Sequence, residues 1–104
     1  MKDTVTIVTG AAQGIGRSIA EYLAAQGGDI AIFDIVEGSE VVNAIREKGQ
    51  RAEFYHVDVS NFQMVGEAVD KVVKEMGHVS NLVNNAGITN DKLLLRMKED
   101  DWDR

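Results

Sequence analysis

The sequence of 104 residues contains no cysteine and no proline, and only 6% of its residues are aromatic. Without cysteine, the chain can form no disulfide framework, no thiolate metal site and no cysteine nucleophile. No apolar run approaches the roughly 18 residues of a membrane span, and the start of the chain lacks the regions of a secretory signal. We therefore expect a cytoplasmic protein that does not contact a membrane.

Basic residues are the minority, because 11 lysines and arginines stand against 17 acidic residues and give a net charge of −6. This charge argues against a nucleic-acid partner, since nucleic-acid surfaces carry a basic stripe. His56 and His78 are not accompanied by clustered carboxylates, so we expect a strand residue and a loop residue rather than metal ligands. The remaining composition, 44% hydrophobic and 27% charged, is that of one small globular domain.

Short apolar runs rich in β-branched residues alternate with longer segments whose apolar residues recur at helical spacing. The predicted strands are 5–9, 30–33, 52–57 and 79–84, and the predicted helices are 15–27, 38–48 and 62–76. Residues 89–104 are predicted to form a loop followed by a short helix. Because strands separated by helices pair in parallel with right-handed crossovers, this βαβαβαβ pattern predicts an α/β fold with an open, doubly wound parallel sheet.

Two local patterns predict how helices face the sheet and how they begin. The predicted buried face of the first helix consists of Ile15, Ile19, Tyr22 and Leu23. Ser60 and Gln63 have the spacing of a capping box, so Ser60 is expected to accept a hydrogen bond from the amide of Gln63 at the start of the third helix.

A glycine-rich segment, Thr9–Gly16, joins the first strand to the first helix. Gly10 permits a tight turn, Gly14 lets backbone amides approach a pyrophosphate, and Gly16 lets the helix pack closely on the strand. The unpaired amides at the helix start would then face phosphate groups. The spacing G-x-x-x-G-x-G departs from the more general G-x-G-x-x-G fingerprint, and a glycine-rich turn without a ligand is the alternative.

Polar residues follow the other predicted strands. Asp34 follows the second strand, where a carboxylate accepts hydrogen bonds from an adenosine ribose and would repel a 2′-phosphate; it could instead simply open the next loop. Asp58 and Val59 close the third strand at the edge where ligands bind, although Asp58 could also cap the next helix. Asn84 and Asn85 need hydrogen-bond partners, either neighbouring strand ends or a nucleoside.

In this order and spacing, Thr9–Gly16, Asp58-Val59 and Asn84–Gly87 resemble the short-chain dehydrogenase/reductase family, whose members are Rossmann-type enzymes that use NAD(H) or NADP(H). The cofactor-binding residues implied by the resemblance are Gly10, Ala12, Gln13, Gly14, Ile15, Gly16, Asp34, Asp58, Val59, Asn85, Ala86 and Gly87. The glycine-rich segment would bind pyrophosphate and ribose, Asp58-Val59 the adenine, and Asn85-Ala86-Gly87 the ribose on the nicotinamide side.

The choice of cofactor depends on charge near the ribose. Asp34 favours NAD(H), and Gln13 offers no cation beside the phosphate turn. Arg17 could in principle supply one, so use of NADP(H) is possible.

Within this family, residues 87–98 with Trp102 resemble β-ketoacyl-acyl-carrier-protein reductases and acetoacetyl-CoA reductases. The resemblance implies hydride transfer to a 3-oxoacyl thioester, carried on acyl carrier protein or coenzyme A, and a homotetramer. It also implies a catalytic Asn, a Ser and a Tyr-x-x-x-Lys pair further along the chain. Neither tyrosine here can play that part, because Tyr22 and Tyr55 lack a lysine four residues on.

We therefore expect residues 1–104 to be the N-terminal, dinucleotide-binding part of a single Rossmann domain, with no catalytic residues and no activity alone. Two alternatives stay open: a nucleotide-binding fragment without catalysis, and an inert interaction fragment whose open sheet edge pairs with another chain.

Overall fold

A computed structural model describes residues 2–85, which form a four-stranded parallel sheet with helices on both faces. The strands are β1 (Val5–Thr9), β2 (Asp29–Asp34), β3 (Ala52–His56) and β4 (Asn81–Asn84), and the helices are α1 (Gly14–Ala25), α2 (Ser39–Glu47) and α3 (Phe62–Met76). The strand order β3-β2-β1-β4 places the first strand between β2 and β4. The predicted doubly wound parallel sheet is confirmed. The predicted elements of residues 89–104 lie outside the described residues.

Strand β1 is the centre of the sheet, and all of its residues are buried. In the sheet register, Thr9 lies beside both Phe33 and Asn84, and Asp34 lies beside His56. The strands therefore all end at the same edge of the sheet, where the segments that follow them meet. We call this edge the carboxyl edge. The opposite edge, where the strands begin, is called the amino edge.

The core lies in two layers, one on each face of the sheet. Helix α3 packs on the face that carries Val5, Ile7 and Phe33. Helices α1 and α2 pack on the other face, against residues such as Val8 and Ile32. Because neighbouring residues of a strand point to opposite faces, the apolar residues of β1 and the uninterrupted apolar run of β2 supply both layers at once.

The predicted buried face of α1 is partly wrong. Ile15 and Tyr22 are 74% and 64% exposed, whereas the buried residues of the helix are Gly16, Ala20 and Ala24. Ile19 and Leu23 are partly buried against the core, as predicted. The physical reason is close approach: small residues spaced four apart let the helix axis come near the sheet, and larger side chains are displaced to its sides.

The predicted capping box at α3 is also wrong. The residue that caps the helix is Asn61, whose side chain accepts a hydrogen bond from the amide of Met64 at 3.1 Å. The Ser60 hydroxyl instead donates to the carboxylate of Asp58 at 2.6 Å. In a capping box the Gln63 side chain would accept from the Ser60 amide, but that amide donates to Asp58 at 3.0 Å, because a charged acceptor forms a stronger hydrogen bond than a neutral amide oxygen.

Strand β4 begins at Asn81 rather than at Val79. Just before it, the Ser80 amide donates to the carbonyl of Val5 at 2.7 Å, and the Ser80 hydroxyl accepts from the Val5 amide at 3.1 Å. The side chain of Asn81 finds a partner in the hydroxyl of the buried Thr6, to which it donates at 3.3 Å. One backbone hydrogen bond and one hydrogen bond accepted by the serine hydroxyl thus join β1 to the residue before this strand.

Candidate functional site

The carboxyl edge contains a cavity of about 370 Å³ between the segments that follow β1, β2 and β3. The residues that line it are Gly10, Phe33, Asp34, Ile35, Val57, Asp58, Val59 and Ser60. The cavity brings together four residues that the sequence singled out, Gly10, Asp34, Asp58 and Val59, although they lie far apart in the chain.

The glycine-rich segment forms the turn between β1 and α1. Gly10 and Gly14 both have φ of +65°, the left-handed region in which a side chain is strained. The Gly10 amide donates to the carbonyl of Phe33 at 2.8 Å, which ties the turn to the end of β2. A Cβ placed on Gly14 would meet nothing within 4 Å, so the turn is open on that side.

The first turn of α1, Gly14 onward, has neither a side-chain cap nor an acidic residue of its own. Gln13 occupies the N-cap position, yet its side chain makes no capping hydrogen bond, and the first turn contains no acidic residue. The first amides of a helix have no partner within the helix, and the helix dipole places positive charge there. An uncapped helix start beside an open glycine turn is therefore suited to bind a phosphate group.

Gly16 allows a close approach at the base of the same turn. A Cβ at this position would overlap the carbonyl oxygen of Gly10 and lie 2.6 Å from Nδ2 of Asn85. Asn85 donates a hydrogen bond from this Nδ2 to the Gly10 carbonyl at 3.2 Å. The predicted role of Gly16 in close packing agrees with this geometry, and Asn85 braces the turn.

The two asparagines after β4 bond to neighbouring strand ends, one of the two alternatives left open by the sequence. Oδ1 of Asn84 accepts from the hydroxyl of the buried Thr9 at 2.9 Å, and Asn85 reaches Gly10 as described above. Ala86 and Gly87, which were predicted to share the site, lie outside the described residues.

The Asp34 carboxylate bridges two segments of the site. Its Oδ2 accepts from the amide of Ala12 in the glycine turn at 2.9 Å, and its Oδ1 accepts from the amide of Val36 at 3.0 Å. A carboxylate has about four acceptor positions, so two hydrogen bonds leave capacity for further donors. Asp34 therefore orders the turn and also presents negative charge and acceptor capacity to the cavity.

Asp58 stabilises the turn before α3. Its carboxylate accepts from both the hydroxyl and the amide of Ser60, and its carbonyl accepts from the amide of Asn61 at 2.8 Å. The Ser60 hydroxyl, followed by the Ser60 amide, lowers the pKa of the Asp58 carboxyl. The sequence alternative that Asp58 supports the start of the third helix thus has a structural counterpart, and the same residue also lines the cavity.

Ile35 and Ser60 line the cavity, although the sequence did not predict them as site residues. Ile35 is 61% exposed. The sequence signal that would have indicated its place in the site was an apolar residue directly after Asp34. Ile15 and Gln13 are exposed at the start of α1, and Ala12 is buried. The sequence-predicted residues of the turn therefore surround an exposed helix start rather than a closed pocket.

The histidines lie where the sequence predicted them. His56 ends β3, and His78 lies between α3 and β4, with its ring 2.9 Å from the carbonyl oxygen of Asp3. Within the described part of the chain, no group of three or more histidine, aspartate or glutamate residues could hold a metal ion. None of the helices in that part is long and apolar enough to cross a membrane.

Comparison with known proteins places this geometry in a family. A family model described as short chain dehydrogenase matches residues 4–104. The chain is 45% identical over 102 residues to 3-oxoacyl-[acyl-carrier-protein] reductase FabG of Staphylococcus epidermidis, an alignment that covers 93% of this chain and 41% of that protein. The chain thus spans well under half the length of this relative.

Solved structures show the same likeness. Carveol dehydrogenase from Mycobacterium avium in complex with NAD matches with a TM-score of 0.79 and 28% identity, covering 93% of this chain and 43% of that one. A 3-oxoacyl-[acyl-carrier protein] reductase from Brucella melitensis matches with a TM-score of 0.77 and 35% identity, covering 85% of this chain and 36% of that one.

Proposed function

This chain belongs to the short chain dehydrogenase family, and we propose that it binds NAD(H) as the cofactor-binding part of a 3-oxoacyl thioester reductase. The observation that carries the proposal is the cavity at the carboxyl edge, which joins the open glycine turn to the Asp34 and Asp58 segments. In open α/β sheets, nucleotides bind outside the carboxyl ends of the strands, where the strand order reverses.

The phosphate-binding part of the proposal rests on the turn before α1. The uncapped amides and the open space beside Gly14 would accept the pyrophosphate, since the N-cap side chain makes no capping hydrogen bond and the first turn of α1 carries no acidic residue. Gly16 keeps this arrangement compact, because any side chain there would push α1 away from Gly10.

The nucleoside part of the proposal rests on the cavity. Asp34 would accept hydrogen bonds from the hydroxyl groups of the adenosine ribose, using acceptor capacity beyond that taken by Ala12 and Val36. The adenine would lie between the Asp58-Val59 segment and Ile35. The negative charge of Asp34 favours NAD(H) over NADP(H), whose 2′-phosphate it would repel.

The substrate part of the proposal rests on the relatives. Reductases of 3-oxoacyl-[acyl-carrier-protein] are 35% and 45% identical to this chain. The bound cofactor would supply a hydride, which reduces the 3-oxo group to a 3-hydroxy group. We assign the proton donor of that step to neither tyrosine, because the hydroxyl of Tyr55 donates to Glu75 and Tyr22 is exposed on α1.

A matched pair of glycine variants tests the proposal by titration of the chain with NADH. Gly14 and Gly49 both have positive φ and both have open space around a new Cβ, so alanine strains either turn to a similar extent. Only Gly14 lies at the proposed phosphate site. Gly14→Ala should weaken NADH binding about tenfold, the equivalent of about one charged hydrogen bond, whereas Gly49→Ala should leave it unchanged.

Absence of NADH binding by the unmodified chain at millimolar concentration would contradict the proposal. Equal weakening of NADH binding by the two alanine variants would show that the binding site does not lie at the glycine turn. Binding of ADP as tight as that of NADH would favour a nucleotide-binding module over a reductase part. The thioester substrate is tested on the protein purified from its source, by NADH oxidation with 3-oxoacyl thioesters against the corresponding free 3-oxo acids.

A further inference from the structure

We propose that Arg17, Glu21 and Glu40 form a second device that discriminates against the 2′-phosphate of NADP(H), separate from Asp34. The inference rests on the proposed cofactor function. Its central claim is that the one cation near the proposed ribose site is held by two carboxylates and is thereby withheld from a phosphate.

The guanidinium of Arg17 spans the starts of two helices. Its Nε lies 2.6 Å from Oε2 of Glu21, one turn further along α1, and its Nη1 lies 2.8 Å from Oε1 of Glu40 in the first turn of α2. Both helices begin at the carboxyl edge and pack on the same face of the sheet. The arginine head group therefore lies between α1 and the first turn of α2, the helix that begins four residues after the segment opened by Asp34 and Ile35.

Among residues 2–85, Arg17 is the one basic side chain carried by the first turn of a helix at the carboxyl edge. The other basic residues in that range lie near the amino edge or on α3: Lys2, Arg46, Lys48, Arg51, Lys71 and Lys74. Asp34 and Glu37 add negative charge to the same side of the molecule. A 2′-phosphate would thus meet several carboxylates and a single cation that already has two partners.

The two carboxylates differ in how firmly they hold the arginine. The side chain of Glu21 is 30% exposed and lies on the same helix at the favourable spacing of four residues. The side chain of Glu40 is 86% exposed, so this pair is screened and individually weak. Glu40 is therefore the easier partner to remove, and its removal both frees one side of the guanidinium and deletes a repulsive charge.

A charge-neutral variant of Glu40 tests the inference, with a matched control on the same helix. Glu40→Gln should raise the affinity for NADPH relative to NADH about threefold, within the range of an exposed ion pair. Glu47→Gln removes the same charge from the exposed far end of α2 and should leave the ratio of the two affinities unchanged. The gain should shrink as salt is added, since exposed charges are screened.

Glu40→Gln both releases the Arg17 guanidinium and removes a negative charge that repels the phosphate. Repeating the substitution in an Arg17→Gln protein distinguishes these two contributions to NADPH affinity. If the guanidinium captures the phosphate, Glu40→Gln should give a smaller gain in NADPH affinity when Arg17 is already glutamine. An equal gain in both backgrounds, or an unchanged ratio in Glu40→Gln, would overturn the inference. Both outcomes require NADH binding by the unmodified chain, so loss of that binding would instead mark failure of the proposed function.

Discussion

The two edges of the sheet are built in opposite ways. At the amino edge, charged side chains link strands, turns and a helix end to one another. At the carboxyl edge, glycines, backbone amides and a cavity of about 370 Å³ occupy the corresponding positions. The contrast supports our proposal that the amino edge stabilises the fold and that the carboxyl edge binds a ligand.

The amino edge is centred on Asp29 at the start of β2. Its carboxylate accepts from the side chain of Gln50 and from the amide and Nε of Arg51, each at 3.0 Å. Arg51 also donates to the carbonyl of Met76 at 3.0 Å, at the end of α3. One acidic and one basic residue thus join β2, the segment before β3 and the end of α3, where a cation complements the helix dipole.

The carboxyl edge has its own acidic residue, Asp34 at the end of β2, but uses it differently. Both of its oxygens accept from backbone amides, those of Ala12 and Val36, and neither of these partners is a cation. Arg17 lies on that side of the molecule and is paired with Glu21 and Glu40. The negative charge of Asp34 is therefore available to a ligand, whereas that of Asp29 is paired with Arg51.

The largest expected effect is that of a methyl group at Gly16. Gly16→Ala would place a Cβ onto the Gly10 carbonyl oxygen, and overpacking of this kind against backbone costs about 3 kcal/mol. Urea denaturation should show this loss, together with loss of NADH binding. Gly49→Ala is the control, because its new Cβ meets nothing and only the positive φ of +90° opposes it, at a cost of about 1 to 2 kcal/mol. A Gly16→Ala protein of unchanged stability would show that the turn is not closely packed.

The second-largest expected effect is a loss of stability at the amino edge that leaves NADH binding at the carboxyl edge unchanged. Asp29→Ala removes the acceptor of three hydrogen bonds, one of which is also the ion pair with Arg51, so the free energy of unfolding should fall by about 2 kcal/mol. NADH affinity should not change in the folded variant. Glu47→Ala, at an exposed position of α2, should change neither quantity. A tenfold loss of NADH affinity in Asp29→Ala would break the distinction between a stabilising edge and a binding edge.

Asp34→Ala should have the converse profile. Loss of its charge and acceptor oxygens should shift the ratio of NADH to NADPH affinity towards NADPH by about 1 to 2 kcal/mol. The absolute affinity for both should fall, because the Ala12 amide in the phosphate turn loses its partner. Asp34→Asn, which keeps the size and one acceptor oxygen, separates the two effects. An unchanged ratio in both variants would contradict the assignment of Asp34.

The smallest effect concerns acid stability at the carboxyl edge. Ser60 lowers the pKa of Asp58 in the folded state, so this carboxylate stabilises the fold above its unfolded pKa. That contribution is lost as the pH falls through the folded pKa. Ser60→Ala should raise the Asp58 pKa, measured by carboxyl NMR titration, and should lessen the acid dependence of stability.

Ser39→Ala is the control for this titration, because the Ser39 hydroxyl donates to Glu37 rather than to Asp58. It should leave the Asp58 titration as it is. A Ser60→Ala protein with an unchanged Asp58 pKa would show that the hydrogen bonds seen at this turn do not persist in solution.

Much of the fold could be predicted from the sequence, because apolar periodicity and glycine positions are local signals. Strand β1 is short and rich in β-branched residues, β2 contains an uninterrupted apolar run, and the glycine turn lies between the first strand and the first helix as expected. The face of α1 could not be predicted, since close packing selected Gly16, Ala20 and Ala24 over the more hydrophobic Ile15 and Tyr22.

The contacts of the site were less predictable than its residues. Asp34 and Asn85 were singled out from their places after strands, but their bonds to Ala12 and Gly10 join residues that are distant in the chain. The competition of Asp58 for the Ser60 hydroxyl and the pairing of Arg17 with Glu40 likewise depend on geometry that periodicity does not contain.

The central claim, that the carboxyl edge is the binding edge, is tested most directly by mapping NADH onto the amide resonances of the chain. The changes in chemical shift should concentrate at the glycine turn, including Ala12 and Gly14, and at Asp34 and Asp58. The amides of the amino edge, such as Arg51, should not change. Shifts confined to the amino edge or to the outer face of α3, or no shifts at millimolar NADH, would contradict the claim.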